Sequence, residues 1–230
     1  MRAAGLALAL VAGACRPLPP APLVALHDDT AGNPVDTTTG MLVVGMAGDI
    51  GGGGWGTAFR VIHQVSRDTA LGGELVIGRG DDGERRDVEL IGVRGLGQSS
   101  PADHRGVAAT YGVGAAWMST GALSVSGFVG GAISYPNDYF SPYFQVGVAP
   151  VWVARAGDRY GATSCRDQAC ETMTATPLRS ALFVLADAGL VGHLGNRGNR
   201  LGVDLGLAYK LGADDGYVVL SVADSQRFEP

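Results

Sequence analysis

The sequence predicts an all-β fold: an up-and-down antiparallel β-barrel of about eight to ten strands, transmembrane. Three observations carry this. Residues 199–211 alternate over their whole length, with Leu201, Val203, Leu205, Leu207, Tyr209 and Leu211 on one face and Arg200, Gly202, Asp204, Gly206, Ala208 and Lys210 on the other. A strand sends successive side chains to opposite faces, and a transmembrane strand needs roughly 9–11 tilted residues against about 5–6 in an ordinary strand. The second observation is a succession of short turn signals between such segments. The third is composition. The chain is 46% hydrophobic with 37 Gly and only 17% charged residues, yet has no second long apolar run after its N-terminus. The apolar content is spread through alternating segments.

The N-terminal 40 residues are expected to lie outside the barrel. Met1-Arg2, an uncharged apolar run over 3–12 and the small residues ending in Ala14 have the layout of a secretory signal, assigned to residues 1–14. The run is too short for a bilayer-spanning helix, which needs about 20 apolar residues. Residues 15–40 open with Arg16-Pro17-Leu18-Pro19-Pro20-Ala21-Pro22 and continue through Asp28, Asp29, Gly32, Asn33 and Pro34. Proline cannot donate to a strand ladder, so this stretch reads as a flexible tether. Residues 41–230 form the barrel domain.

Ten strand candidates follow, near 41–48, 57–66, 72–79, 86–95, 107–118, 122–134, 142–154, 180–193, 199–211 and 216–223. Gly80-Asp81-Asp82-Gly83, Ser119-Thr120-Gly121, Gly195–Asn199 and Gly212–Gly216 supply turn chemistry between them. In 121–134, Leu123, Val125, Val129 and Ile133 oppose Ser124, Ser126, Gly130, Ala132 and Ser134; segments 107–118 and 142–153 repeat the contrast. An exposed face of a soluble sheet carries more charge than this. Small residues suit a crowded barrel interior. Aromatics such as Trp55, Trp117, Tyr139, Phe140, Trp152, Tyr209 and Tyr217 gather at strand ends, the places of interfacial belts. Segment 72–95 is the exception: Glu74, Arg79, Arg86, Asp87, Glu89 and Arg94 interrupt any apolar band, and these strands are expected to run beyond the membrane.

The end of the leader resembles a bacterial lipoprotein lipobox. Gly13, Ala14 and Cys15 fit it, and Ala12 stands where that family usually has Leu. The resemblance implies a lipid on Cys15. Cysteine number agrees: Cys165 and Cys170 are close enough to pair as a disulfide, and lipidation removes the odd thiol at Cys15. From 41 to 223 the chain resembles small bacterial outer-membrane β-barrels. That implies location in the outer membrane of a Gram-negative-type envelope, with membrane lipids and the barrel-assembly machinery as partners. Such barrels often end on Phe, whereas here Phe228 precedes Glu229-Pro230.

The lumen face is expected to hold a charge network of Arg200, Asp204, Lys210 and Asp187, with His193 near it. No catalytic or metal residues and no cofactor are expected. None of His27, His63, His104 and His193 has Ser two positions on, so the His-x-Ser pair of outer-membrane lipid A deacylases is absent. Gly51–Gly54 lacks the Lys-Ser/Thr of a phosphate loop. The formal charge is −5, about −6 without Arg2, and Lys210 is the one Lys, which disfavours nucleic acid. The loop 156–179 is longer than the roughly 12–15 residues beyond which loops are usually functional, and it falls on the outer side if both termini face the periplasm. The sequence identifies no partner for it. These features predict a non-enzymatic outer-membrane barrel with a structural, adhesive or narrow-conduit role. The alternative is a soluble β-sandwich or lipocalin-like lipoprotein binding a ligand or partner at the membrane surface.

Overall fold

The computed structural model describes residues 35–48, 53–81, 87–100, 106–119, 121–135, 137, 139–156, 161–166, 169–174, 180–194, 199–211 and 215–228. The leader, Cys15, most of the tether, His27 and His104 lie outside the described residues, as do the tips of most turns. Ten strands close into one antiparallel barrel. They are β1 (Thr38–Gly48), β2 (Gly53–Gln64), β3 (Thr69–Asp81), β4 (Asp87–Ser99), β5 (Val107–Met118), β6 (Ala122–Ser134), β7 (Phe140–Ala156), β10 (Ala181–Leu194), β11 (Asn199–Lys210) and β12 (Asp215–Phe228). A separate hairpin, β8 (Gly161–Arg166) and β9 (Ala169–Thr174), occupies the connection between β7 and β10. Each barrel strand pairs with its neighbour in the chain, β7 with β10 across the hairpin, and β12 closes on β1. There is no second stacked sheet among the described residues, so the architecture is a barrel and not a sandwich.

The strands tilt steeply. Following direct partners from Thr38, the first residue of β1, leads through His63, Leu71, Gly97, Tyr111, Val129, Val148, Val184 and Tyr209 to Gly216, the second residue of β12. One circuit thus climbs from the rim where β1 begins, here the lower rim, to the upper one. That stagger is what closing a sheet requires.

The alternation sorts the side chains. In β11 Leu201, Val203, Leu205, Leu207 and Tyr209 are exposed on the outside, while Arg200, Gly202, Asp204, Gly206 and Ala208 are buried inside. The same holds around the circuit. The ladder is regular except between β6 and β7, where the register shifts at Leu123/Ser124 and pairing lapses opposite Pro150, which has no N–H to give. Gly121 takes φ +79 in the β5–β6 turn, a conformation that favours glycine.

The core is the lumen. An upper apolar plug comprises Ala149, Val151, Phe183, Leu185, Ala208 and Val219. A second cluster joins Met41, Val43, Ala58, Val76, Val191 and Ala223 with the ring of Tyr143. Polar side chains fill the wall between them.

Candidate functional site

The lumen holds a polar cluster built by register. Arg60 on β2 is directly opposite Glu74 on β3, and Glu74 is directly opposite Arg94 on β4. All three point inward, so one carboxylate sits between two guanidiniums. Arg60 Nε donates to Glu74 Oε2 at 2.9 Å, its Nη2 donates to the same oxygen, and Arg94 Nη1 lies 3.6 Å from Oε1. The Glu74 side chain is wholly shielded from solvent. A carboxylate so placed needs both cations, because an unpaired buried charge is costly.

The facing wall is organised around a glycine. Gly189 on β10 is flanked by Tyr143 on β7 and Asp204 on β11. The Tyr143 ring lies across Gly189: a Cβ there would meet the Tyr143 hydroxyl at 2.3 Å and ring carbons at 2.4–2.5 Å. Absence of a side chain at 189 is what lets Tyr143 reach toward Asp204. Ser221 Oγ on β12 donates to Asp204 Oδ2 at 2.6 Å. Asp187, only 1% exposed, is opposite Gln145, whose Nε2 donates to Thr110 Oγ1 at 2.9 Å. Arg60 lies within electrostatic range of both aspartates.

The structure therefore brings Asp187 and Asp204 together with Tyr143, Gln145 and Ser221. Arg200 is also buried and inward, but one tier lower, opposite His193 and Ser225. Lys210 is half-buried at the upper rim, opposite Phe183. The cation near the aspartates is Arg60 from the facing wall, which does not belong to the charge network expected from the sequence, and Glu74 and Arg94 also point inward. Parity was the available signal. Glu74 and Arg94 share the inward face with Val76 and Gly92, whereas Arg79 and Glu89 fall on the exposed face. Ser141 Oγ and His193 Nε2 are 3.1 Å apart near the lower rim. A Ser–His pair becomes a nucleophile when a carboxylate orients the imidazole, and here Arg200 holds the neighbouring position. Cys165 and Cys170 are direct partners in the β8–β9 register; their side chains lie outside the described residues.

Among the described residues, most inward side chains are buried. Its largest fully buried side chains are Arg60, Phe183, Met118, Leu185, Gln145, Val219, Asp187 and Asp204. Residues lining an open water-filled channel would be accessible to solvent. A cavity of about 20 Å³ beside Val76, Leu90, Gly92 and Arg94 has room for about one water.

No family model matches the chain, and no curated protein does. Solved structures match at low identity. An outer membrane channel from Pseudomonas putida F1 is 12% identical, with a TM-score of 0.48 over 89% of this chain and 100% of that one. The translocator domain of the autotransporter NalP from Neisseria meningitidis is 12% identical, with a TM-score of 0.43 over 86% of this chain and 90% of that one. The outer membrane enzyme PagL is 12% identical, with a TM-score of 0.36 over 82% and 98%. The likeness is one of architecture, a closed antiparallel barrel.

Proposed function

We propose that this chain is a non-enzymatic β-barrel of the bacterial outer membrane, lipid-anchored at Cys15. Its lumen is closed to solutes, and its role is structural or adhesive, exercised through the β7–β10 connection. The observation that carries this is the outer surface. Every barrel strand exposes large apolar side chains, among them Leu42, Phe59, Ile77, Val93, Val113, Val129, Val146, Val184, Leu205 and Leu220. A continuous belt of this kind far exceeds the apolar patches of about 300–600 Å² that soluble monomers expose. Arg60, Glu74, Asp187, Arg200 and Asp204 are buried in the interior instead, the reverse of a soluble barrel. Aromatics border the belt: Trp55, Trp117, Trp152 and Tyr209 toward the upper rim, Tyr135, Tyr139, Phe140 and Phe228 toward the lower. Trp and Tyr favour membrane–water interfaces.

Dimensions agree. A strand of 12 residues such as β11, tilted by roughly 40°, stands roughly 30 Å tall, enough for the apolar band of about 25 Å in an outer membrane. Both described ends of the chain are at the lower rim. With that rim toward the periplasm, β8–β9 stands on the outer side. The packed lumen favours a structural or adhesive role over a conduit.

The test is solubility without the anchor. Deleting residues 1–15 and expressing the rest should leave a chain that needs detergent and migrates differently on gels before and after boiling. Release of a monodisperse domain into detergent-free buffer would favour the soluble lipoprotein instead.

A further inference from the structure

Four acceptor oxygens on one wall of the lumen lack a hydrogen bond of ordinary geometry, although the Ala188 N–H lies near Asp187 and the Tyr143 hydroxyl near Asp204. They are Oδ1 and Oδ2 of Asp187, Oδ1 of Asp204 and Oε1 of Gln145. The three side chains are all but inaccessible to solvent. Register makes them neighbours. Gln145 is directly opposite Asp187, and Asp204 is diagonal to it, since Asp187 faces Gly206 and Asp204 faces Gly189. Direct cross-strand pairs hold their Cβ atoms about 4.5–5.5 Å apart and diagonal pairs about 7–8 Å. At that spacing two carboxylates and an amide oxygen can bracket one small ion.

The surroundings fix how these groups point. Gln145 Nε2 is turned to Thr110 on β5, which leaves Oε1 turned away from that strand. Ser221 engages Oδ2 of Asp204 and leaves Oδ1 open. Arg60 is close enough to be felt by both aspartates, but its Nε and Nη2 both donate to Glu74. Of the buried cations, Arg60 and Arg94 lie on Glu74 and Arg200 lies lower, opposite His193 and Ser225. What the open oxygens of this wall call for is something that several of them can share.

We propose that Asp187, Asp204 and Gln145 form a buried site for one hard divalent cation of the calcium type. Calcium takes 6–8 oxygen ligands, from carboxylates, amide carbonyls and water, at about 2.3–2.6 Å. The four oxygens here would supply the protein's share, with water completing the shell. The donor set is oxygen alone, which selects hard ions over zinc or copper. Among the described residues no three His, Cys, Asp or Glu side chains form a ligand set, so the site depends on the amide as well as the acids. The rival chemistry is one proton shared between the two aspartates, which needs no ion.

The experiment uses the full chain, folded in detergent micelles after treatment with a chelator. Calcium is titrated calorimetrically, and terbium is titrated in parallel with luminescence excited through tyrosine, because Tyr143 lies beside Asp204. The expected result is one ion per chain, with calcium displacing terbium. Asp187→Asn and Asp204→Asn should each raise Kd at least tenfold, while Asp224→Asn, an exposed acid on β12, leaves it unchanged. Gln145→Leu replaces either aspartate variant that does not fold. Absence of saturable binding by the wild-type chain would overturn the proposal, as would unchanged affinity in Asp187→Asn. So would aspartate variants that raise the unfolding midpoint equally with and without calcium, the mark of the shared proton.

Discussion

Gly189 shows how much of the lumen rests on single residues. Nothing in its local sequence, Asp187-Ala188-Gly189-Leu190, demands a turn, and it sits mid-strand in β10. Its role is to be flat beneath the Tyr143 ring. Gly189→Ala should push that ring off Asp204 and cost about 1–3 kcal/mol, the usual scale of overpacking, read as a lower urea midpoint for unfolding from micelles. A wild-type midpoint would show that the ring has another place to lie. Glu74 carries a larger consequence. Glu74→Ala leaves Arg60 and Arg94 facing each other without their carboxylate, and should cost about 3–5 kcal/mol in the same assay. Replacing all three by apolar residues of similar volume should recover much of that loss. These roles are hidden in the sequence because a charge read within one segment does not show which face it occupies. Glu74 and Arg94 looked like breaks in an apolar band, yet they occupy the face that never meets lipid. A partner such as Arg60 becomes visible only once register joins β2 to β3.

At the scale of elements, the alternation located all ten barrel strands, and strand ends were missed where the alternation stops before the hydrogen bonds do. β12 continues past residue 223 to Phe228 because it pairs with β1 down to Thr38, although Asp224 and Gln226 interrupt the apolar alternation of its outer face. β4 continues to Ser99 where Gly95 and Gly97 leave its outer face without apolar side chains, and Tyr111 from β5 covers Gly97. The hairpin β8–β9 lies in the segment 156–179 that the sequence presents as a loop, because it is polar and short. Its Cys165 and Cys170 are the pair next to Arg166–Ala169, between which two residues intervene in the chain. In such a hairpin the pair bordering the turn is hydrogen-bonded and the next is not. Cα atoms in that next pair are about 4.5 Å apart, within disulfide range. The two thiols should therefore be oxidised in exported protein, contributing about 2 kcal/mol or less to stability. Mass spectrometry finding two free thiols would remove the staple. β11 gives the sharpest test of environment. Leu205→Arg should cost about 2–4 kcal/mol if that position lies at the bilayer midplane, and Leu201→Arg or Leu211→Arg roughly 0–1 near the interfaces. Because a packed core would also suffer at 205, a spin label there decides: it should relax with oxygen dissolved in lipid and ignore water-soluble relaxers.

For the whole molecule, the barrel is closed by the pairing of β1 with β12, and on the function proposed above it is closed a second time by its own side chains. Ten strands enclose more space than eight, where side chains just fill the interior, so a ten-stranded barrel can be blocked or open depending on what points inward. Here Phe183, Leu185 and Val219 block the upper half, and the ionic ladder of Arg60, Glu74 and Arg94 spans three adjacent strands of the wall. On that proposal both act on ions: the first by excluding water, the second by fixing charge in place. In planar bilayers the wild-type chain should show no steady conductance steps. Clearing the plug with Phe183→Gly and Leu185→Gly removes the two bulkiest apolar groups from one strand without touching the β10 ladder or the outer belt. That variant should keep its heat-modifiable gel shift and acquire measurable, fluctuating conductance, since water would then reach the polar tier. Conductance steps of equal size in the wild-type chain and the variant would mean that ions already pass, and the conduit role would replace the structural one. A variant that folds and remains silent would place the barrier in the ionic ladder, where Glu74→Gln in the same background should then release it.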